Sequence, residues 1–161
     1  MEASLRHQVQ ASLRQSHPLS ILLMDLDHFK QYNDLQSRGQ GDQRLRELAA
    51  MIQESLRGGD LVSRFGGDEF LAMLPNTHFL DAKDIAEKIR GKAFQAGLSL
   101  SMGLSCLPED AIAENELLLA ADQALSVAKR QGRNKVICFQ EMWPGISSSG
   151  AGGTRDSSVQ V

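Results

Sequence analysis

Ser20-Ile21-Leu22-Leu23-Met24-Asp25-Leu26 is apolar at almost every position until a carboxylate arrives near its end. A run of this kind reads as a strand buried on both faces, which predicts the first and central strand of a sheet. Downstream, residues 60–65 and 69–74 are strand-like runs separated by Gly66-Gly67-Asp68, a glycine-rich hairpin turn, and Pro75-Asn76 closes the second of them. Upstream, Leu5, Val9 and Leu13 recur at helical spacing until His17-Pro18 ends the pattern, so residues 1–17 form a leading helix.

The rest of the chain alternates helices and strands. Asp27 offers a helix cap, and Phe29, Tyr32 and Asn33 continue at helical spacing before residues 37–41 break the period. From Asp42, the residues Leu45, Leu48, Ala49, Ile52 and Leu56 predict an amphipathic helix ended by Gly58-Gly59. Residues 80–94 are helical, 98–107 alternate as a strand, 114–131 are helical with Gly132 as the stop, and 134–139 make a last strand. This order implies an α/β fold in which helices flank a central sheet. The domain is expected to span residues 1–141, and residues 142–161, rich in Ser and Gly, are expected to form a disordered tail.

Composition narrows the function. The chain has 161 residues and a net charge of -3, enough for one domain and too acidic for blanket binding of a nucleic acid polymer. Cys106 and Cys138 lie inside apolar runs without paired metal spacing, as buried thiols in a reducing compartment would. There is neither a signal-peptide core nor a run approaching the ~20 apolar residues of a membrane span, so a cytoplasmic location is expected. His7, His17, His28 and His78 are scattered without zinc spacing, and the glycine loops of P-loop and dinucleotide folds are missing.

Three groups can carry chemistry. Asp25, Asp68 and Glu69 converge if the hairpin pairs beside the first strand, and hard oxygen ligands of this kind suit Mg²⁺ together with substrate phosphates. Each feature alone also reads as a strand end and an ordinary turn. Residues 27–30 start a helix, where free amides and Lys30 could meet an anion, although most such sites bind only water. Lys129 and Arg133 near the end of a helix could equally serve its dipole.

Arg64-Phe65-Gly66-Gly67-Asp68-Glu69-Phe70 resembles the signature of the GGDEF family. The likeness extends over Asp25-Leu26-Asp27-His28-Phe29-Lys30, Asn33-Asp34, Gly41-Asp42, Ala121-Asp122-Gln123-Ala124-Leu125 and Ala128-Lys129-Arg130-Gln131-Gly132-Arg133-Asn134. It implies a fold like the polymerase palm and the nucleotide cyclases, with a mostly antiparallel sheet. It also implies a diguanylate cyclase that joins two GTP into cyclic di-GMP across a homodimer.

On these matches Asp25, the Leu26 carbonyl, Asp68 and Glu69 would hold Mg²⁺, with Mn²⁺ as a substitute, and Asp68 would help to deprotonate the attacking hydroxyl. Asn33 and Asp42 would read guanine. His28, Phe29, Lys30, Lys129 and Arg133, with the Gly66-Gly67 turn, would hold the triphosphate. Arg57-Gly58-Gly59-Asp60 matches an inhibitory product site, to which Lys88 would contribute in place of an arginine. Departures are Ser37-Arg38 for a usual Gly-His, Ser126 for a common tyrosine, and a short segment between Arg90 and Leu98. The family's leading motif and any sensory domain are absent, which suggests an excised domain or a minimal cyclase. The alternative function is a GGDEF module that binds GTP or cyclic di-GMP without turnover and regulates a partner.

Overall fold

The apolar run around Ile21 is strand β1 (Leu19–Leu26), and all eight of its residues are buried. Residues 2–36 and 38–142 are described in this computed structural model. The expected tail, residues 142–161, lies outside the described residues except for Met142, and so does the Ser37 departure. Around β1 the chain forms α1 (Glu2–Gln15), α2 (Phe29–Leu35), α3 (Arg38–Ser55), β2 (Leu61–Arg64), β3 (Glu69–Pro75), α4 (Phe79–Gln95), β4 (Leu100–Leu107), α5 (Glu114–Arg130) and β5 (Val136–Cys138). A short 3₁₀ turn at Phe139–Met142 follows.

The sheet order is β2-β3-β1-β4-β5. The pairs are antiparallel except β4 with β5, so the sheet is mixed but mostly antiparallel, as expected. Alternate residues of β1 go to opposite sides, which is why the run is apolar throughout. Leu22, Met24 and Leu26 join α3 and α4 in one core through Leu45, Leu48, Ile52, Ala86 and Ile89. Ile21 and Leu23 join α1 and α5 in the other through Leu5, Val9, Leu117 and Leu125. Cys106 and Cys138 are buried free thiols, and burial pushes the Cys106 thiol up to about 12, so both are inert packing groups.

Three expectations are corrected. The strand expected over residues 98–107 begins only at Leu100, and for all its alternation every one of its residues is buried. Its small residues lie under α5: Ser105 donates to the Leu117 carbonyl at 2.7 Å, and a Cβ on Gly103 would stand 2.0 Å from the Ala121 carbonyl oxygen. The polar positions are thus a groove that lets a helix come close. Next, α3 starts at Arg38, not Asp42, so Gly41 is a buried helical residue rather than a breaker. It is glycine for space, since a Cβ there would lie 1.8 Å from Asn33 Oδ1. Finally, β5 keeps only Val136–Cys138, because the chain coils into the 3₁₀ turn directly after it.

Candidate active site

Strand register brings the acidic residues together. Asp25 on β1 pairs with Glu69 on β3, and the Leu26 amide donates to the Asp68 carbonyl at 3.1 Å. The hairpin turn is closed by the Phe65 and Gly66 amides, which both donate to the Glu69 carbonyl at 2.8 and 3.2 Å. Arg64 Nε donates to the Gly67 carbonyl at 2.9 Å and to that of Gly66 at 3.2 Å, holding the loop from below. A Cβ on Gly66 would stand 2.7 Å from Glu69 Oε2, so a bare backbone is what lets that carboxylate fold over the turn.

These carboxylates are electrostatically crowded. Burial raises the Asp25 pKa, with the nearby charges of Asp68 and Asp27 adding to it, and the bond from Lys129 opposes them. Glu69 is likewise raised, first by burial and then by the charge of Asp25. Lys129 Nζ donates to Asp25 Oδ2 at 2.9 Å and is the cation nearest the pair. Oxygen donors that repel one another suit a hard divalent ion. Among the described residues no three His, Cys, Asp or Glu side chains make a closed cage. That fits Mg²⁺, which needs only one or two carboxylates and takes its other oxygens from substrate phosphates and water.

Beside this corner the chain turns into α2 through His28, whose φ of 60° is left-handed and whose side chain caps nothing. Asp27, expected to cap that helix, does not do so. Its carboxylate is buried and accepts from Ser99 Oγ at 2.6 Å, Ser101 Oγ at 2.7 Å and the Asn134 amide at 3.2 Å. His28 and Lys30 are exposed at the start of α2, and Phe29 packs inward. Arg133, also exposed, sits in the turn after α5, where Gly132, Arg133 and Asn134 all have positive φ. On the other side, Asp42 lines a cavity of about 480 Å³ with Leu45, Arg46, Val62, Arg64 and Phe70. Asn33 lies against neighbouring Gly41, its Oδ1 buried without a partner.

A family model described as "Diguanylate cyclase, GGDEF domain" matches residues 1–135. The chain belongs to the GGDEF family. It is similar to the probable diguanylate cyclase DgcT of Escherichia coli, 36% identical over 140 residues that cover 80% of this chain and 31% of that protein. Among solved structures it is similar to the GGDEF domain of TpbB (YfiN) from Pseudomonas aeruginosa, with 34% identity, a TM-score of 0.81 and 86% of each chain covered. The active GGEEF domain of a diguanylate cyclase from Vibrio cholerae gives 33% identity and a TM-score of 0.80, covering 85% of this chain and 92% of that one. The chain spans about a third of the length of the curated relatives it matches. The palm-like cyclase fold expected from the sequence is thus the fold found.

Within the GGDEF frame, Asp25, Glu69, Asp68 and Lys129 meet at one corner, and Asn33 approaches Asp42 through Gly41. At the Arg57-x-x-Asp60 stretch, Arg57 and Lys88 line an open cavity of about 420 Å³ with Asp81 and Asp84. Asp60 does not face it, because its side chain is 3% exposed and is engaged by Arg57. The residues that hold Asp27, namely Ser99, Ser101 and Asn134, went unread. The serine alternation of β4 was the available signal.

Proposed function

We propose that this domain is a Mg²⁺-dependent diguanylate cyclase that condenses two GTP into cyclic di-GMP and two pyrophosphates, working as a homodimer in the cytoplasm. The observation that carries the reading is the pairing of Asp25 with Glu69 across β1 and β3, with Asp68 beside them and Lys129 bonded to Asp25. Asp25, Asp68, Glu69 and the Leu26 carbonyl would hold the metal. When bound, Mg²⁺ supplies a Lewis acid at the α-phosphate and offsets charge on the leaving pyrophosphate.

This chain's own groups do the rest. Asp68 is at the hairpin tip, free to take the proton of the 3′-hydroxyl that attacks the partner domain's nucleotide. Lys30, Lys129 and Arg133 orient the β and γ phosphates, helped by the amides of His28 and Phe29 and the open Gly66-Gly67 turn. The Asp42 carboxylate accepts from the ring N–H and exocyclic amine of guanine, with Asn33 beside it. Adenine lacks that donor pair, so GTP is preferred to ATP. One domain holds one GTP, so two must face each other for the reaction to finish.

Cyclic di-GMP would inhibit at Arg57 and Lys88. In that role Asp60 acts from behind by fixing Arg57. Incubation of concentrated protein with GTP and Mg²⁺, followed by chromatography, tests the reading. Cyclic di-GMP should appear, and ATP should give no cyclic product. GTP binding without product would mark a regulatory module that lacks turnover.

A further inference from the structure

We infer that Asp27 is a positioning residue that ties the two cationic sides of the triphosphate site into one unit; the inference rests on the cyclase reading above. Asp27 lies two residues past Asp25 and one before His28, where the backbone turns left-handed to open α2. Its side chain is buried and bonds two remote segments at once through three donors. Ser99 precedes β4 and Ser101 is its second residue, and the Asn134 amide belongs to the turn after α5. The Asp27 amide also donates to the Ser99 carbonyl at 2.9 Å, so backbone and side chain grip the same strand.

The turn held in this way needs holding. Arg133 and Asn134 are consecutive non-glycine residues at φ of 64° and 46°, after Gly132 at 105°. Asparagine adopts left-handed backbone readily, but at a residue such as Arg133 it persists where the surroundings hold it. Three bonds enforce it here. The Arg133 amide donates to the Ala128 carbonyl at 2.9 Å, Arg90 reaches the Asn134 side chain at 3.3 Å, and the Asn134 amide reaches the Asp27 carboxylate. Only the last crosses to the turn after β1. Arg133 is exposed, so its direction is set by the backbone beneath it. Asp27 therefore fixes where Arg133 stands relative to residues 28–30, and so the spacing across which a triphosphate must fit. A guanine base at Asn33 and Asp42 lies outside this linkage.

The test compares a triphosphate with a monophosphate. Calorimetry with 3′-deoxy-GTP and Mg²⁺, which cannot condense for want of the 3′-hydroxyl, is run beside GMP on wild type, Asp27→Asn and the double variant Ser99→Ala with Ser101→Ala. Asp27→Asn should lose about tenfold in triphosphate affinity, the scale of a hydrogen bond to a charged group, while GMP affinity stays within about twofold. The double variant, which keeps the carboxylate, should shift in the same direction by less, and it carries the test if Asp27→Asn does not fold. Equal losses for both nucleotides, or none for either, overturn the inference while leaving the cyclase reading standing. Wild type that binds neither nucleotide removes the cyclase reading and this inference with it.

Discussion

The tripeptide Gly-Gly-Asp occurs twice within eleven residues, at 58–60 and at 66–68, on either side of β2. At the first, the aspartate turns inward. Asp60 accepts from the Arg57 amide at 2.8 Å, its own amide donates to the Arg57 carbonyl at 3.0 Å, and Arg57 Nε stands 3.5 Å from the same carboxylate. Arg57 also reaches Thr77 beyond β3, so the turn is stapled to the sheet. At the second, the arginine two residues ahead spends its donors on the carbonyls of Gly66 and Gly67. Asp68 is left partly exposed, next to a carboxylate pair whose pKa values are both raised. Identical letters give a structural turn where the charge is neutralised locally and a chemical one where it is not. The neighbour, not the tripeptide, decides.

The sharpest way to break this contrast is Asp68→Asn. It should lower cyclic di-GMP formation by about a hundredfold or more, the cost of losing a group that acts in the transition state, with the circular dichroism melt unchanged. Retention of more than a tenth of the rate by product chromatography would put Asp68 in the same structural class as Asp60. Asp60→Ala should do the reverse and cost about 0.5–1.5 kcal/mol of stability in denaturant unfolding, because it removes the bond that the Arg57 amide makes and the ion pair that holds the Arg57 guanidinium. A loss below half a kcal/mol would mean the turn holds without it.

Arg57→Ala probes the overlap between the two roles. It should weaken cyclic di-GMP binding by about fivefold, a coupling of ordinary size, and relieve product inhibition to match. Equal binding by wild type and variant would confine Arg57 to the staple. The smallest effect is expected at Asp110, a carboxylate outside both turns. Burial raises it to about 6, against the bond it accepts from the Cys106 amide. Its folded pKa exceeds the unfolded one, so the folded state binds more protons between about pH 4 and 6. Stability should fall as pH rises through that window and level off above it. Melts of Asp110→Asn should show a shallower slope, the remainder coming from Asp25 and Glu69, whose pKa values are raised too, and an unchanged slope would remove Asp110 as its source.

Where bonding partners are near in sequence, or the strands pair in order, the letters were enough. The β1 run, the 66–68 turn, α4 and α5 were legible, and so was the meeting of Asp25 with Asp68 and Glu69, which follows once β3 pairs with β1. What failed depended on tertiary partners that the local pattern does not name. Asp27 looked like a cap because a carboxylate before a helix usually is one, yet its acceptors are filled by residues 72, 74 and 107 positions away. Gly41 looked like a breaker, although the close approach of Asn33 is what requires it. The alternation over 98–107 marked a strand without saying what covers Ser101 and Ser105, which are buried against Asp27 and the Leu117 carbonyl of α5. Spacing shows which residues share a face, and it is silent on what covers that face.

The order β2-β3-β1-β4-β5 has a bearing on how copies of this domain meet. Its outermost strands are its shortest, four residues in β2 and three in β5, while the inner three have seven or eight. A sheet margin carries unpaired amides and carbonyls that invite another chain's strand, and brief margins blunt that invitation. On the dimeric reading proposed above, a domain that has to meet a second copy would gain from this. With little backbone to zip together at either rim, fewer collisions would be trapped in unproductive β-pairing, and more would remain available to join the faces proposed to carry nucleotide.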